Sequence, residues 1–558
     1  MTIQPPDVLP QARDAAAAVP VDQRSLPWMR PLALDYAYNF APLAPFFAGN
    51  PAEPAAWAAT IGRARTAERP RSAVAAIVAA QQSRRSSPSQ AVEAGRLLDD
   101  PRTVAVVTGQ QAGLFGGPLF TLLKALTAIK LAERTAREQQ TPAVAVFWID
   151  AEDHDWEEVR SCAVLDDVLA PRVAELPARP SGDQGSVAGT TLDTHVTAAI
   201  EELRAALPAT EFREPLLDRL AAAYTPGRGM ADAFARWLEE VLGARGLVVY
   251  DCSDPAAKAL AAPVFARELA VPGETARLAA EAGVQLKAAG YHAQVEAAET
   301  AAALFRLDPQ TGARQAVRLD GARFLVGDEP MEAASLAREA LEQPARFSPN
   351  VLLRPIVQDT LFPTICYVAG PSELAYLAQL KGVYAHFGVP MPLMFPRASA
   401  TLLDSAALRF ITKYGVAFDT LQPQDEAALN ALLASQIPPA VEETFVAAAR
   451  AIEGEMTRVV DAVPAIDPTL QGAAKSTLGR MQHDLQALHG KMIQAAKRRD
   501  DTLRRQYLRT RALAFPGGHP QERALGSLSF LNQYGPALVE RLSAQLPLDL
   551  GQHWLISI

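Results

Sequence analysis

The chain has 558 residues, enough for about three to four domains, or for one large core carrying insertions. Asp plus Glu outnumber Lys plus Arg by 62 to 53, a net charge of −9, so the global basic footprint of a nucleic-acid binder is missing; apolar residues at 49% and charged residues at 21% are ordinary globular usage and exclude wholesale disorder. Cys162, Cys252 and Cys366 are the only cysteines and lie far apart, which excludes a disulfide scaffold and an all-cysteine zinc site and fits a reducing cytoplasm.

The opening MTIQPPDVLPQARDAAAAVP has no basic segment followed by an apolar one, so no secretory signal is expected. No run of about 18 apolar residues occurs, so no membrane span is expected either. From 103 to 155 the sequence reads as a β-loop-α-β unit. TVAVV (103–107) is a short strand, the glycine-rich TGQQAGLFGGP follows, and 119–137 carries helical apolar spacing at Leu122, Leu123, Leu126, Ile129 and Leu131. VAVFWI (144–149) is a second strand running into Glu152-Asp153-His154-Asp155. Such continuous apolar strands suit a parallel sheet covered on both faces. Further candidates are GLVVY (246–250), VLLRPIV (351–357), TICYV (364–368) and MPLMF (391–395). The expectation is a doubly wound α/β core in three parts, 1–160, 241–289 and 346–415. A mostly helical insertion fills 161–240, and a small antiparallel one fills 290–345, where ALFRLDPQTGARQAVRLDGARFLV alternates around turn signals. Residues 416–558 read as a helical domain with a tail docking on the core. Phe445, Ala449, Ile452, Met456, Val459 and Val463, and then Ala474, Leu478, Met481, Leu485, Leu488, Met492 and Ala495, repeat at alternating steps of four and three, with Pro464 and Pro468 between the two series. That pattern predicts an antiparallel coiled-coil hairpin, or a plain helical bundle.

Three clusters can carry chemistry. Gly109-Gln110-Gln111-Ala112-Gly113-Leu114-Phe115-Gly116-Gly117 leaves a strand and opens a helix, where ligands bind in open α/β sheets and glycine N–H groups suit an anion. It matches neither the P-loop nor the dinucleotide fingerprint, and the glycines could serve a tight turn alone. Lys124 in the following helix is a candidate phosphate or carboxylate partner. Glu152-Asp153-His154-Asp155 faces the same crevice, with His154 open to several roles: general base or substrate positioning, metal ligand, a cation balancing nearby charge, or part of a solvated loop or helix cap. The third cluster is Arg354, Gln358 and Asp359 around VLLRPIV, with Ser372 as a candidate helix cap, Glu373 after TICYV, and Arg397 after MPLMFP. Near the end, Lys497, Arg498, Arg499, Arg504, Arg505, Arg509 and Arg511 lead into a loop containing Gln521 and Arg523. Such runs are usually solvated faces, but an anion site is an alternative. Cys366 lies in an apolar strand and reads as packing.

These pieces resemble the BshC family, the cysteine-adding ligases of bacillithiol biosynthesis, over nearly the whole length. The resemblance rests on VVTGQQAGLFGGPLFTLLKALTAIKLA (106–132), FWIDAEDHDWEEV (147–159), SPNVLLRPIVQDTLFPTICYVAGPSELAY (348–376), FPRAS (395–399) and PGGHPQERALGSLSFLNQYG (516–535). It implies an enzyme that joins cysteine to glucosaminyl-malate. It also implies a Rossmann-like core with two connecting-peptide insertions, and homodimers formed through a C-terminal coiled coil.

An amide does not form readily from a carboxylate and an amine in water, so ATP is the expected co-substrate, leaving AMP or ADP; magnesium would travel with the nucleotide, and no metal is expected in the protein itself. The expected assignment has Gly109, Gly113, Gly116, Gly117, Gln521 and Arg523 on the nucleotide. Gln110, Gln111, Lys124, Arg354, Gln358, Asp359, Glu373 and Arg397 would bind substrate, with the arginines on the malate carboxylates. His154 would act as base, its tautomer set by Asp153 or Asp155. The rival expectations are a non-catalytic dimeric binding protein and a metal-dependent hydrolase built on residues 152–155.

Overall fold

The computed structural model describes residues 18–558 apart from 181–184, 297, 299, 322, 437–438 and 500. These fall into two compact units, residues through Leu402 together with Pro520–Ile558, and Leu403–His519. The first unit is built on a five-stranded parallel sheet. Its strands in chain order are β1 (Val104–Gln111), β2 (Ala143–Asp150), β3 (Val248–Asp251), β4 (Thr364–Ala369) and β5 (Leu393–Pro396). They lie side by side as β5-β4-β1-β2-β3.

Neighbouring residues of β2 show why these strands are apolar throughout. Phe147 packs on Phe234 of helix Met230–Leu242, with ring centroids 5.9 Å apart, whereas Trp148 packs on Tyr250 at 5.4 Å. Successive strand residues point to opposite faces, so both faces of the sheet are core. From β1 the chain adds β2 and β3 on one side and then returns to add β4 and β5 on the other. That reversal between β1 and β4 is a topological switch point, and the crevice beyond the carboxyl ends of the strands there is where open α/β sheets bind ligands.

Two sequence expectations are corrected. The strand expected at 351–357 is instead a turn followed by α3 (Arg354–Leu361). Asn350 Oδ1 accepts from the N–H groups of Leu352 at 2.9 Å and Leu353 at 3.3 Å, and Pro355 sits in the first helical turn, where its missing N–H costs nothing. A short apolar run cannot by itself separate strand from helix. In addition, β1 continues through Gly109, Gln110 and Gln111, so these residues end a strand rather than begin a loop. Helix α1 (Leu119–Glu138) then covers the sheet.

An antiparallel hairpin, Ser161–Leu165 with Pro171–Glu175, precedes the helices expected in the 161–240 region. Residues 301–332 form the antiparallel meander, which Phe347–Pro349 extends to five strands. Strand Ala18–Asp22 pairs with Gln552–Ser557, so residues 520–558 are integral to the first unit. In the second unit, α5 (Pro439–Ala462) and α6 (Leu470–Arg499) form the hairpin, with Phe445 stacked on His489 at 4.7 Å. Helix α7 (Asp501–Ala514) follows. Among the described residues, no helix is long and apolar enough to cross a membrane.

Candidate active site

A cavity of about 610 Å³ opens at the switch point. Its floor is the end of β1. Gly109 lies there because a Cβ at that position would come within 2.8 Å of the Trp148 carbonyl oxygen, closer than any side chain tolerates. Lys124, one turn into α1 and 2% exposed, donates to the Gly109 carbonyl at 2.7 Å and to Gln110 Oε1 at 3.1 Å. It also pairs with Glu373 at 2.5 Å. Glu373 takes two further donors, Tyr367 Oη at 2.8 Å and the Gly370 N–H at 2.7 Å. Burial pushes the Glu373 carboxyl up, but Lys124 and these donors outweigh burial and hold it below its ordinary value. The Gly370 bond also caps α4 (Pro371–Leu377), so the cap is Gly370 with Glu373 rather than Ser372.

From Lys124 a polar chain crosses the floor. Because Gln110 Oε1 accepts from Lys124, its amide nitrogen faces Gln111 Oε1 at 3.4 Å. Gln111 Nε2 in turn donates to Asp153 at 2.7 Å and to Glu158 at 3.0 Å. Asp153 Oδ1 lies 3.3 Å from His154 Nδ1, and Arg314 Nη1 lies 3.4 Å from the same nitrogen. An arginine can only donate, so Nδ1 accepts from Arg314 and the neutral ring carries its proton on Nε2, which makes no hydrogen bond among the described residues. Asp155 does not join this set. Its carboxylate accepts from the Glu158 N–H at 3.1 Å and caps the short helix α2 (Trp156–Val159). Glu152 turns into the interior and pairs with Lys258. The four consecutive ionisable residues therefore serve three separate purposes, and among the described residues no group of three or more His, Cys, Asp or Glu is placed to hold a metal ion.

The arginines divide in the same way. Arg354 lines the cavity and is held by Asp150 and by Tyr376 Oη at 3.0 Å. Arg397 also lines it, but its two terminal nitrogens bind Glu522 at 2.8 and 2.6 Å. Burial raises the Glu522 carboxyl, yet Arg397 outweighs it and the net pKa falls to about 2. Arg397 is therefore part of the wall, not a free carboxylate receptor. Gln358 lines the cavity, with its amide donating to Asp359 at 2.9 Å. Asp359 lies behind that wall, fully buried, accepting from Tyr384 Oη at 2.6 Å. It is not a ligand-facing group, and burial pushes its carboxyl up to about 6. Arg523 is exposed, lies over the Phe120 ring at 5.7 Å and lines the cavity. Among the described residues it makes no ion pair.

The expected glycine anion cradle is corrected. The Gly113 N–H bonds the Gln111 carbonyl, that of Gly116 bonds Gly113 and Tyr224 Oη, and that of Gly117 bonds Leu114. The Leu119 N–H opening α1 is sealed by the Leu525 carbonyl at 2.7 Å. At Gly116, φ is +94° and a Cβ would come within 2.8 Å of the Trp237 ring, so this glycine serves a turn and close packing. Gln521 is likewise structural: its fully buried amide bonds the Leu402 N–H and carbonyl, each at 2.8 Å. In the basic run, Arg504 pairs with Glu426, Arg509 pairs with Asp404, and Arg511 donates to the Asp425 carbonyl. The side chains of Lys497, Arg498 and Arg499 lie outside the described residues.

Sequence reasoning missed Arg314, Asp150, Glu158, Tyr367 and Tyr376, all brought to the site by tertiary packing. Arg314 comes from the antiparallel meander, lies over Phe305 at 4.0 Å and donates to the Pro349 carbonyl. Only Asp150, at the end of an apolar strand, carried a local signal.

Two family models match the chain. One describes the N-terminal Rossmann-like domain of the bacillithiol biosynthesis protein BshC, over residues 19–398. The other describes the C-terminal coiled-coil domain of the same protein, over residues 400–558. Relatives named "Putative cysteine ligase BshC" include one from Salinibacter ruber, 34% identical and covering 94% of this chain and 96% of its own length. One from Koribacter versatilis is 35% identical over 78% of this chain and 81% of its own, and one from Chlorobaculum tepidum is 32% identical over 80% and 82%. With both domain models and near full-length relatives in agreement, the chain belongs to the BshC family of bacillithiol biosynthesis ligases.

Proposed function

We propose that the chain joins cysteine to glucosaminyl-malate through an amide bond, with a nucleotide activating the cysteine carboxylate. One observation carries the reading. The cavity at the switch point brings together a histidine beside a carboxylate, two glutamine amides oriented in series, and the guanidinium of Arg523, which makes no ion pair among the described residues. The names of the relatives support the substrate class.

Activation transfers an adenylyl or phosphoryl group from ATP to the carboxylate oxygen and releases pyrophosphate or ADP. Arg523 is the group offered to the negative charge at that junction, because the loop N–H groups at Gly113, Gly116 and Gly117 are used internally. The glucosamine nitrogen then attacks the acyl carbon, and AMP or phosphate departs. In the tautomer that turns an Nδ1 proton toward Asp153, His154 Nε2 is free to accept the ammonium proton, and Asp153 stabilises the imidazolium that forms. Gln110 and Gln111 hold the reactants over the floor, and Arg354 is the candidate partner for the malate carboxylates.

The half-buried seam of α5 and α6 leaves Val446, Val459 and Leu488 exposed, and we assign that surface to a homodimer contact. The three free, buried cysteines accord with action in a reducing cytoplasm. Incubating the purified protein with ATP, cysteine and glucosaminyl-malate tests the reading. The thiol product is expected, with AMP marking an adenylate or ADP an acyl phosphate. Neither product would overturn catalysis in favour of a binding role.

A further inference from the structure

A second cavity, of about 280 Å³, adjoins the first and shares with it Gln110, Gln111, Phe120, Glu158 and Arg523. Its remaining wall is small and mostly apolar, from Val159, Cys162 and Ala163 on one side and Ala524, Leu525 and Gly526 on the other. That size lies below the roughly 300–1,000 Å³ usual for drug-sized ligands, so it suits a small metabolite and not a sugar conjugate. The two charged groups on its wall are of opposite sign and are not bonded to each other. Among the described residues, Glu158 accepts from Gln111 and from no cation, and Arg523 makes no ion pair. An α-amino acid carries its ammonium and carboxylate on one carbon, and a site for it needs a carboxylate and a guanidinium set apart in this way, each free to bind the zwitterion.

We infer that the smaller chamber is the amino-acid subsite, holding free cysteine with its carboxylate against Arg523, its ammonium against Glu158 and its short side chain against the apolar wall. The inference rests on the ligase reading and adds the place of one substrate. It also explains the position of the two glutamines. Gln110 and Gln111 lie in the walls of both chambers, so an acyl group activated at Arg523 stands where an amine in the larger chamber can reach it. Glu158 thereby becomes a specificity residue.

The test compares wild type with Glu158→Gln and Ala163→Leu, the second of which fills the chamber without touching a charge. KM is measured separately for cysteine and glucosaminyl-malate. Cysteine and N-acetylcysteine are also titrated calorimetrically in the presence of a non-hydrolysable ATP analogue. The expected result is a rise of roughly 10–100-fold in the cysteine KM and Kd for Glu158→Gln, with the glucosaminyl-malate KM unchanged. Ala163→Leu should show the same split, and N-acetylcysteine, which lacks the ammonium, should bind the wild type correspondingly weakly. An unchanged cysteine KM in both variants, with N-acetylcysteine binding as tightly as cysteine, would overturn the subsite and leave the ligase reading standing. Absence of product with all three substrates would overturn the ligase reading; cysteine binding that Glu158→Gln abolishes would still support the subsite, and no cysteine binding would overturn it.

Discussion

The carboxyl edge of the parallel sheet and the helical hairpin solve opposite problems. At the sheet edge, Lys124, Arg397 and Glu522 are charged and buried and Glu373 is half-buried, each matched to a partner at hydrogen-bond distance. In the hairpin, Val459 and Leu488 occupy the seam series of the sequence yet remain 44% and 53% exposed. Charge is buried where geometry must be held fixed, and apolar surface is left out where nothing among the described residues covers it. Buried ion pairs contribute little net stability compared with well-packed apolar groups, whereas losing one partner is strongly destabilising. The sheet edge is therefore intolerant of single changes and the hairpin tolerant of them, and this contrast can be broken or sharpened experimentally.

The largest effect is expected from Lys124→Met. It strands Glu373 and removes the donors to Gly109 and Gln110, and should cost about 3–5 kcal/mol in denaturant unfolding. A cost near zero would mean that the edge is not held by its charges. His154→Ala is the complementary case, since His154 is exposed and contributes chemistry rather than packing. It should lower kcat by roughly 10²–10⁴-fold while leaving the unfolding midpoint in place. A wild-type rate in the folded variant would remove the base from the mechanism.

Asp359 gives a pH test of the same edge. Its folded pKa, about 6, lies above the ordinary 3.8 because it is buried. The folded state thus binds the proton more tightly, and this contribution is fully present below pH 3.8 and lost as pH rises through 6. In Asp359→Asn that fall is absent, so the stability gap between wild type and variant should change by about 3 kcal/mol across the window, measured by urea unfolding at successive pH values. The smallest effect on chain stability, within about 0.5 kcal/mol, is expected for Leu488→Glu in the hairpin. In sedimentation the same change should convert a dimer to a monomer, and an unchanged mass would remove the seam surface from the dimer contact.

What the sequence disclosed follows the range of the interactions involved. The strands at 104–107 and 144–149 and the heptad series declare themselves through local apolar patterns, and the nearness of Gln110, Gln111, Asp153 and His154 follows once two parallel strands end together. The helix at Arg354–Leu361 was hidden because its apolar run is compatible with either element; the decisive groups were the Asn350 side chain and Pro355. The glycine loop misled for a different reason. Its N–H groups are satisfied by Tyr224 Oη and by carbonyls within the loop, and the N-terminus of α1 is closed by Leu525, more than 400 residues later in the chain. Arg314 lies 160 residues from His154, and no local pattern announces such a meeting.

The Leu525 carbonyl that closes α1 has a consequence for synthesis. Arg523, Glu522 and the strand Gln552–Ser557 all come from the segment made after the helical arm. A nascent chain that has completed all five sheet strands still lacks the cap on α1, the partner of Arg397 and one wall of each chamber. Domains generally fold as units while the chain is being made, but here the first unit to emerge is among the last to be finished. A ribosome-bound chain stopped before residue 520 should therefore hold a formed sheet without a working site.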